Sequence, residues 1–108
     1  MLPHYFILDG HTPVPCSVET WSAWFEENFD NRHVGCSEQG DVFVSTVFLG
    51  INHNFFGNGP PILFETMVFI AGDGGDCERY STWDEAAEGH RKWVNMIFKP
   101  TPILYPPA

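Results

Sequence analysis

The chain has 108 residues, 44% hydrophobic and 16% aromatic, enough apolar material for one folded core and well outside the composition of disordered segments. Fourteen Asp and Glu against five Lys and Arg set the formal net charge at −9, which removes the cationic stripe that nucleic-acid phosphates require and argues against direct nucleic-acid binding. Cys16, Cys36 and Cys77 are odd in number and lack a C-x-x-C pair, which argues against a disulfide framework or a zinc ribbon. No apolar run is long enough to span a bilayer. A reducing cytoplasm and no membrane partner are therefore expected.

In chain order, residues 5–8 are β-prone and stop at the turn dipeptide Asp9-Gly10, after which two prolines keep residues 11–15 extended. Ser17 is placed to cap a helix running to about residue 28. Its stripe is Val18, Trp21, Phe25 and Phe29, and Glu19 lies near the positive N-terminal end. Residues 32–37 and 41–49 read as a hairpin closed at Gln39-Gly40. In the second of these strands Val42, Val44, Thr46 and Phe48 face one way and Phe43, Ser45, Val47 and Leu49 the other. Both faces are apolar, the pattern of a central strand.

Residues 50–61 hold too many Gly, Asn and Pro for regular structure and are read as a loop anchored by Phe55 and Phe56. Residues 62–70 form another strand, 72–76 a flexible connection, and 77–81 a short final strand. Thr82 and Glu85 have the spacing of a capping box. It opens a helix to about residue 98 with Trp83, Ala86, Ala87, His90, Val94 and Ile97 on one side. The expected architecture is one α+β domain over residues 1–99, a small antiparallel sheet of four to five strands packed by two helices, followed by a proline-rich tail over residues 100–108.

Six residues stand out as candidate ligand contacts. His53 and Asn54 lie in the glycine-rich loop, where backbone amides can approach an anion; the loop lacks the G-K-[ST] ending of a phosphate loop, and a purely structural loop is the competing reading. Glu65 sits in the middle of an apolar strand and needs a partner, for which Arg79 is the candidate, either as a structural pair or as part of a site. Tyr80 offers a stacking face. His90 follows Gly89 on the apolar side of the last helix, where it is either a core histidine bonded to a carbonyl or a ligand contact. The five histidines show no metal-ligand spacing, the familiar hydrolase and cofactor motifs are missing, and a binder is favoured over an enzyme, with Glu65 and His90 as acid and base in the enzymatic alternative.

The stretches LDGHTPVP, WSAWFE, VSTVFLGINHNFFGNGPPILFETMVF and RYSTWDEAAEGH, covering roughly residues 5–95, resemble a pattern in small uncharacterised proteins of tailed bacteriophages and prophages. The cysteines and the proline-rich tail fall outside that pattern. The resemblance implies work inside the bacterial host cytoplasm in an accessory role, and carries no catalytic residue with it. The expectations are two. In one the protein antagonises a host defence by sequestering a nucleotide-like signal near His53, Arg79, Tyr80 and His90. In the other its acidic surface occupies a basic site on a host protein. A minor structural role in the virion is a further alternative. The apolar segments ILFETMVFIA and PTPILYPP exceed what one small sheet can cover, so a homo-oligomer is expected, most simply a two-fold dimer.

Overall fold

The computed structural model describes residues 3–55 and 58–98; Phe56 and the proline-rich tail lie outside the described residues. It shows an α+β fold with strands β1 (Tyr5–Asp9) and β2 (Thr12–Cys16), helix α1 (Val18–Glu27), a single 3-10 turn, strands β3 (His33–Gln39), β4 (Val42–Phe48), β5 (Phe64–Ile70) and β6 (Asp73–Tyr80), and helix α2 (Trp83–Ile97). The strands form two antiparallel sheets, a β1-β2 hairpin and a four-stranded meander in the order β3-β4-β5-β6.

Both helices start where the sequence places them. Ser17 accepts a hydrogen bond from the Thr20 amide, and Thr82 and Glu85 complete a reciprocal capping box, so the first free amides of each helix are satisfied locally. Two strand expectations need correction. Residues 12–16 are a paired strand rather than merely extended, with Pro13 opposite Leu8 and Pro15 opposite Phe6. Prolines two apart occupy positions of one phase, and in a two-stranded ribbon that phase can point its missing N–H away from the partner at no cost. Likewise, residues 73–76 belong to β6 rather than to a flexible connection. Ala71 and Gly72, at φ 52° and 85°, make a two-residue turn of the mirror-image kind that suits strand twist, so pairing resumes at once with Ile70 opposite Asp73.

The core lies on one side of the four-stranded sheet. Phe48, Leu63, Phe64 and Ala86 are almost fully buried together with Phe6 of the hairpin, and Trp24, Phe25, Val34, Tyr80 and Trp83 pack around them. Helix α2 crosses all four strands of this face, and α1 packs on β1 while its Trp24 and Phe25 rings reach Phe48. Arg32, held between the rings of Phe25 and Phe29, donates from Nη1 to the Phe48 carbonyl at 3.1 Å and closes the end of β4. Burial of its guanidinium lowers its pKa. Strand β4 is central, but Phe43, Ser45 and Val47 on its other face are only half-buried.

Close approach of α2 to the sheet depends on two glycines. A Cβ on Gly35 would meet the His90 ring at 2.7 Å, and one on Gly89 would overlap the Tyr80 hydroxyl and ring. Gly89→Ala is expected to destabilise the protein by about 1–3 kcal/mol through this overlap, even though alanine is the better helix former by about 0.5–1 kcal/mol. Denaturant titration of the two proteins checks it.

Candidate functional site

Beneath α2 the inner face of the sheet carries a continuous polar chain. Thr46 on β4 and Thr66 on β5 are directly opposite in register, both fully buried, with their hydroxyl oxygens 2.5 Å apart. Thr46 also lies 2.7 Å from His90 Nδ1, and His90 Nε2 lies 2.9 Å from the Ser37 hydroxyl on β3. At the other end Thr66 lies 3.1 Å from the Tyr80 hydroxyl, which lies 3.0 Å from Glu78 Oε1. That carboxylate oxygen also accepts from Trp93 Nε1 at 3.2 Å and faces Lys92 Nζ at 3.4 Å.

The chain has a direction. Tyr80 has one hydroxyl proton, and an ionised carboxylate is the stronger acceptor, so the proton points to Glu78. Thr66 must then donate to Tyr80, Thr46 to Thr66, and His90 Nδ1–H to Thr46. The bare Nε2 that remains accepts from Ser37. The bond from Tyr80 holds the Glu78 carboxyl below its usual pKa, with further help from Trp93 and Lys92. Burial, reinforced by the neighbouring carboxylate, pushes the Tyr80 phenol up to about 12, and burial lowers the pKa of His90.

Glu78 and Tyr80 also form one wall of a surface groove of about 540 Å³ between β6 and the first half of α2. Its lining adds Arg79, Asp84, Glu85, Glu88, Gly89 and Lys92, four carboxylates in all against two cations. Strand β6 is the last of the sheet, so the groove runs beside an edge that pairs with β5 alone among the described residues. A smaller depression lies nearby, where the His11 ring stacks on Trp83 at 3.8 Å between centroids.

The six residues singled out from the sequence fall into separate settings. Arg79 Nε donates to Glu65 Oε2 at 2.9 Å, but the pair sits on the sheet face away from α2, with the arginine side chain 46% exposed. Tyr80 and His90 belong to the polar chain and are linked through the two threonines. His90 bonds hydroxyls rather than the backbone carbonyl expected of a core histidine. His53 and Asn54 are occupied within their own loop: His53 Nδ1 contacts the Ile51 carbonyl at 2.8 Å, and Asn54 Nδ2 donates to the Asn58 and Pro60 carbonyls. The organiser of that loop is Asn52, which the sequence did not single out. Its buried Oδ1 accepts from the amides of Asn54 and Ile62 at 2.8 and 3.0 Å, while the amide of His53 donates to Ile62. These amides are therefore spent inside the loop. Phe55 is 73% exposed, its ring 5.8 Å from that of His53, and does not anchor the loop in the core.

Thr46, Thr66 and Glu78 also went unnoticed in the sequence. The alternation of Glu78 with Tyr80 was the one available signal, because it places both on the same face of a strand. Among the described residues no three His, Cys, Asp or Glu side chains gather as they would around a metal ion, and no helix is long and apolar enough to cross a membrane. No family model, curated protein or solved structure matches the chain.

Two outcomes follow from this geometry. His90 is expected to be the neutral Nδ1–H tautomer at pH 7, read from its ring nitrogen shifts. Because its folded pKa is lowered, its contribution to stability is complete above the unfolded value of about 6.5 and declines as pH falls toward the folded one. His90→Gln should flatten the pH dependence of the melting temperature in that window. Arg79→Ala should cost about 1–3 kcal/mol in denaturant titration, less than for a fully buried pair because the arginine is half-exposed, but more than for a surface pair because Glu65, with its side chain 15% exposed, loses its partner.

Proposed function

We propose that this protein acts by binding a basic segment of a host protein, and that the acid-rimmed groove between β6 and α2 is the surface it uses. The carrying observation is the lining of that groove: Glu78, Asp84, Glu85 and Glu88 against Arg79 and Lys92, in a molecule whose net charge is −9. Its cations are already committed, Lys92 to Glu78 and Arg79 to Glu65. A nucleotide-like anion would meet an unfavourable field there, whereas a lysine or arginine side chain would find Asp84 and the exposed Glu88, which it would share with Arg91 at 3.0 Å, at the rim and the Tyr80 ring on the wall. The inner polar chain supports the same reading, because it fixes Glu78 and Tyr80 in place and keeps the carboxyl ionised.

The resemblance to phage accessory proteins sets the context: expression in the bacterial cytoplasm and stoichiometric antagonism of a host defence protein through its basic site. Such binding should associate rapidly and weaken steeply with salt.

The test uses an array of Lys- and Arg-rich peptides beside a panel of cyclic and ADP-ribose-derived nucleotides, with the wild type and an Asp84→Lys/Glu88→Lys variant. Salt-sensitive binding of basic peptides that falls by about 10-fold or more in the variant is the expected result, corresponding to about 1.4 kcal/mol. Retention of a nucleotide released only on heating, undiminished in the variant, would replace this reading with ligand sequestration.

A further inference from the structure

Every element of the described structure packs on one face of the four-stranded sheet, yet the other face is built to be covered. Three cross-strand rows run over it. The first joins Val47, Glu65 and Arg79, the second Cys36, Ser45, Met67 and Cys77, and the third Glu38, Phe43, Phe69 and Gly74. An antiparallel sheet that faces water normally alternates apolar and polar residues along each strand; here β4 and β5 turn Phe43, Val47, Met67 and Phe69 outward, and the Phe43 and Phe69 rings already touch, 6.0 Å apart.

We infer that this face is the interface of a two-fold homodimer. Charge selects the occupant. The molecule carries −9, so two copies repel through most of their surfaces, but the three outward rows hold only Glu38, Glu65 and Arg79 as charged residues, and the last two neutralise each other at 2.9 Å. Here two acidic copies approach with least repulsion, while a basic partner is drawn instead to the carboxylates of the groove between β6 and α2. The face is also self-complementary. The middle row begins and ends with an exposed cysteine, and the aromatic pair of the third row sits on the two central strands. A two-fold axis along the strands through the middle of the sheet sets Cys36 against Cys77 of the second copy and the Phe43–Phe69 pair against its own counterpart.

The size fits a dimer of modest affinity. Four strands of seven or eight residues span about 23–26 by 19 Å, or about 440–500 Å² before side-chain relief is added, below the roughly 600–800 Å² per partner of standard specific interfaces and in the range of weak ones.

Light scattering and a short bismaleimide on the native thiols test the assignment together. The expected mass is twice the 12.3 kDa of one chain, with a covalent dimer formed through Cys36 and Cys77 that persists in Cys16→Ser and disappears in Cys36→Ser/Cys77→Ser. Met67→Glu, which places a charge at the centre of the face on a strand position half-buried in the lone chain, should weaken dimerisation by at least about 100-fold while the monomer keeps its circular dichroism. Glu26→Gln on the exposed side of α1 should leave the dimer unchanged. A single-chain mass at roughly 100 µM, where even a modest interface is mostly assembled, overturns the inference. So does a dimer that survives Met67→Glu or cross-links only through Cys16.

Discussion

Two fully buried threonines set the terms on which α2 meets the sheet. A hydroxyl in an apolar core without a partner costs on the order of 1–3 kcal/mol, and Thr46 and Thr66 bring two of them to the centre of the inner face. Each satisfies the other, but each also needs a second neighbour, and the fold supplies His90 on one side and Tyr80 on the other. The position of α2 is constrained accordingly: His90 must reach over β3 and Tyr80 must slide beneath the helix. Gly35 and Gly89 supply the room, because a methyl group at either site would collide with the ring that completes the chain. A hydrogen-bonded core of this kind holds one arrangement of helix on sheet where hydrophobic contacts alone would tolerate several.

The same chain connects the interior to the surface. Its far end is the Glu78 carboxylate, which gathers Tyr80, Trp93 and Lys92 at the mouth of the groove. A wall residue that would otherwise sample many rotamers is thereby fixed, which lowers the entropy lost when a partner binds. The groove and the open sheet face meet at β6, where Arg79 borders both, and differ in character, one rimmed with carboxylates and the other nearly neutral and apolar. On the proposed reading, this difference keeps the self-association surface and the charged recognition surface from competing.

The loop that joins β4 to β5 follows the rule that irregular backbone must still satisfy its polar groups. Asn52 does this with one buried side chain, which accepts from two amides and donates to the Pro3 carbonyl at 3.5 Å. The amides of Asn52 and His53 donate to the His4 and Ile62 carbonyls. The glycines and asparagines that suggest an anion loop in the sequence serve here to fold the loop on itself.

The sequence by itself determined the α+β class, both helices with their caps, the central place of β4 and the partnership of Glu65 with Arg79, because these depend on local signals: capping residues, the 3.6- and 2-residue periodicities, and charge scarcity. It missed the pairing of β2 and the early start of β6, where prolines and glycines read as breakers but pairing geometry overrides them. Only the tertiary structure decided what the polar residues do. Ser37, Thr46, Thr66, Tyr80, Glu78 and His90 come from four strands and a helix, and no spacing along the chain encodes a contact that closes across 53 residues between Ser37 and His90. The half-exposure of Arg79 in its pair with Glu65 was equally hidden. Alternation along a strand says which residues share a face, but only the packing of helices says which face water reaches.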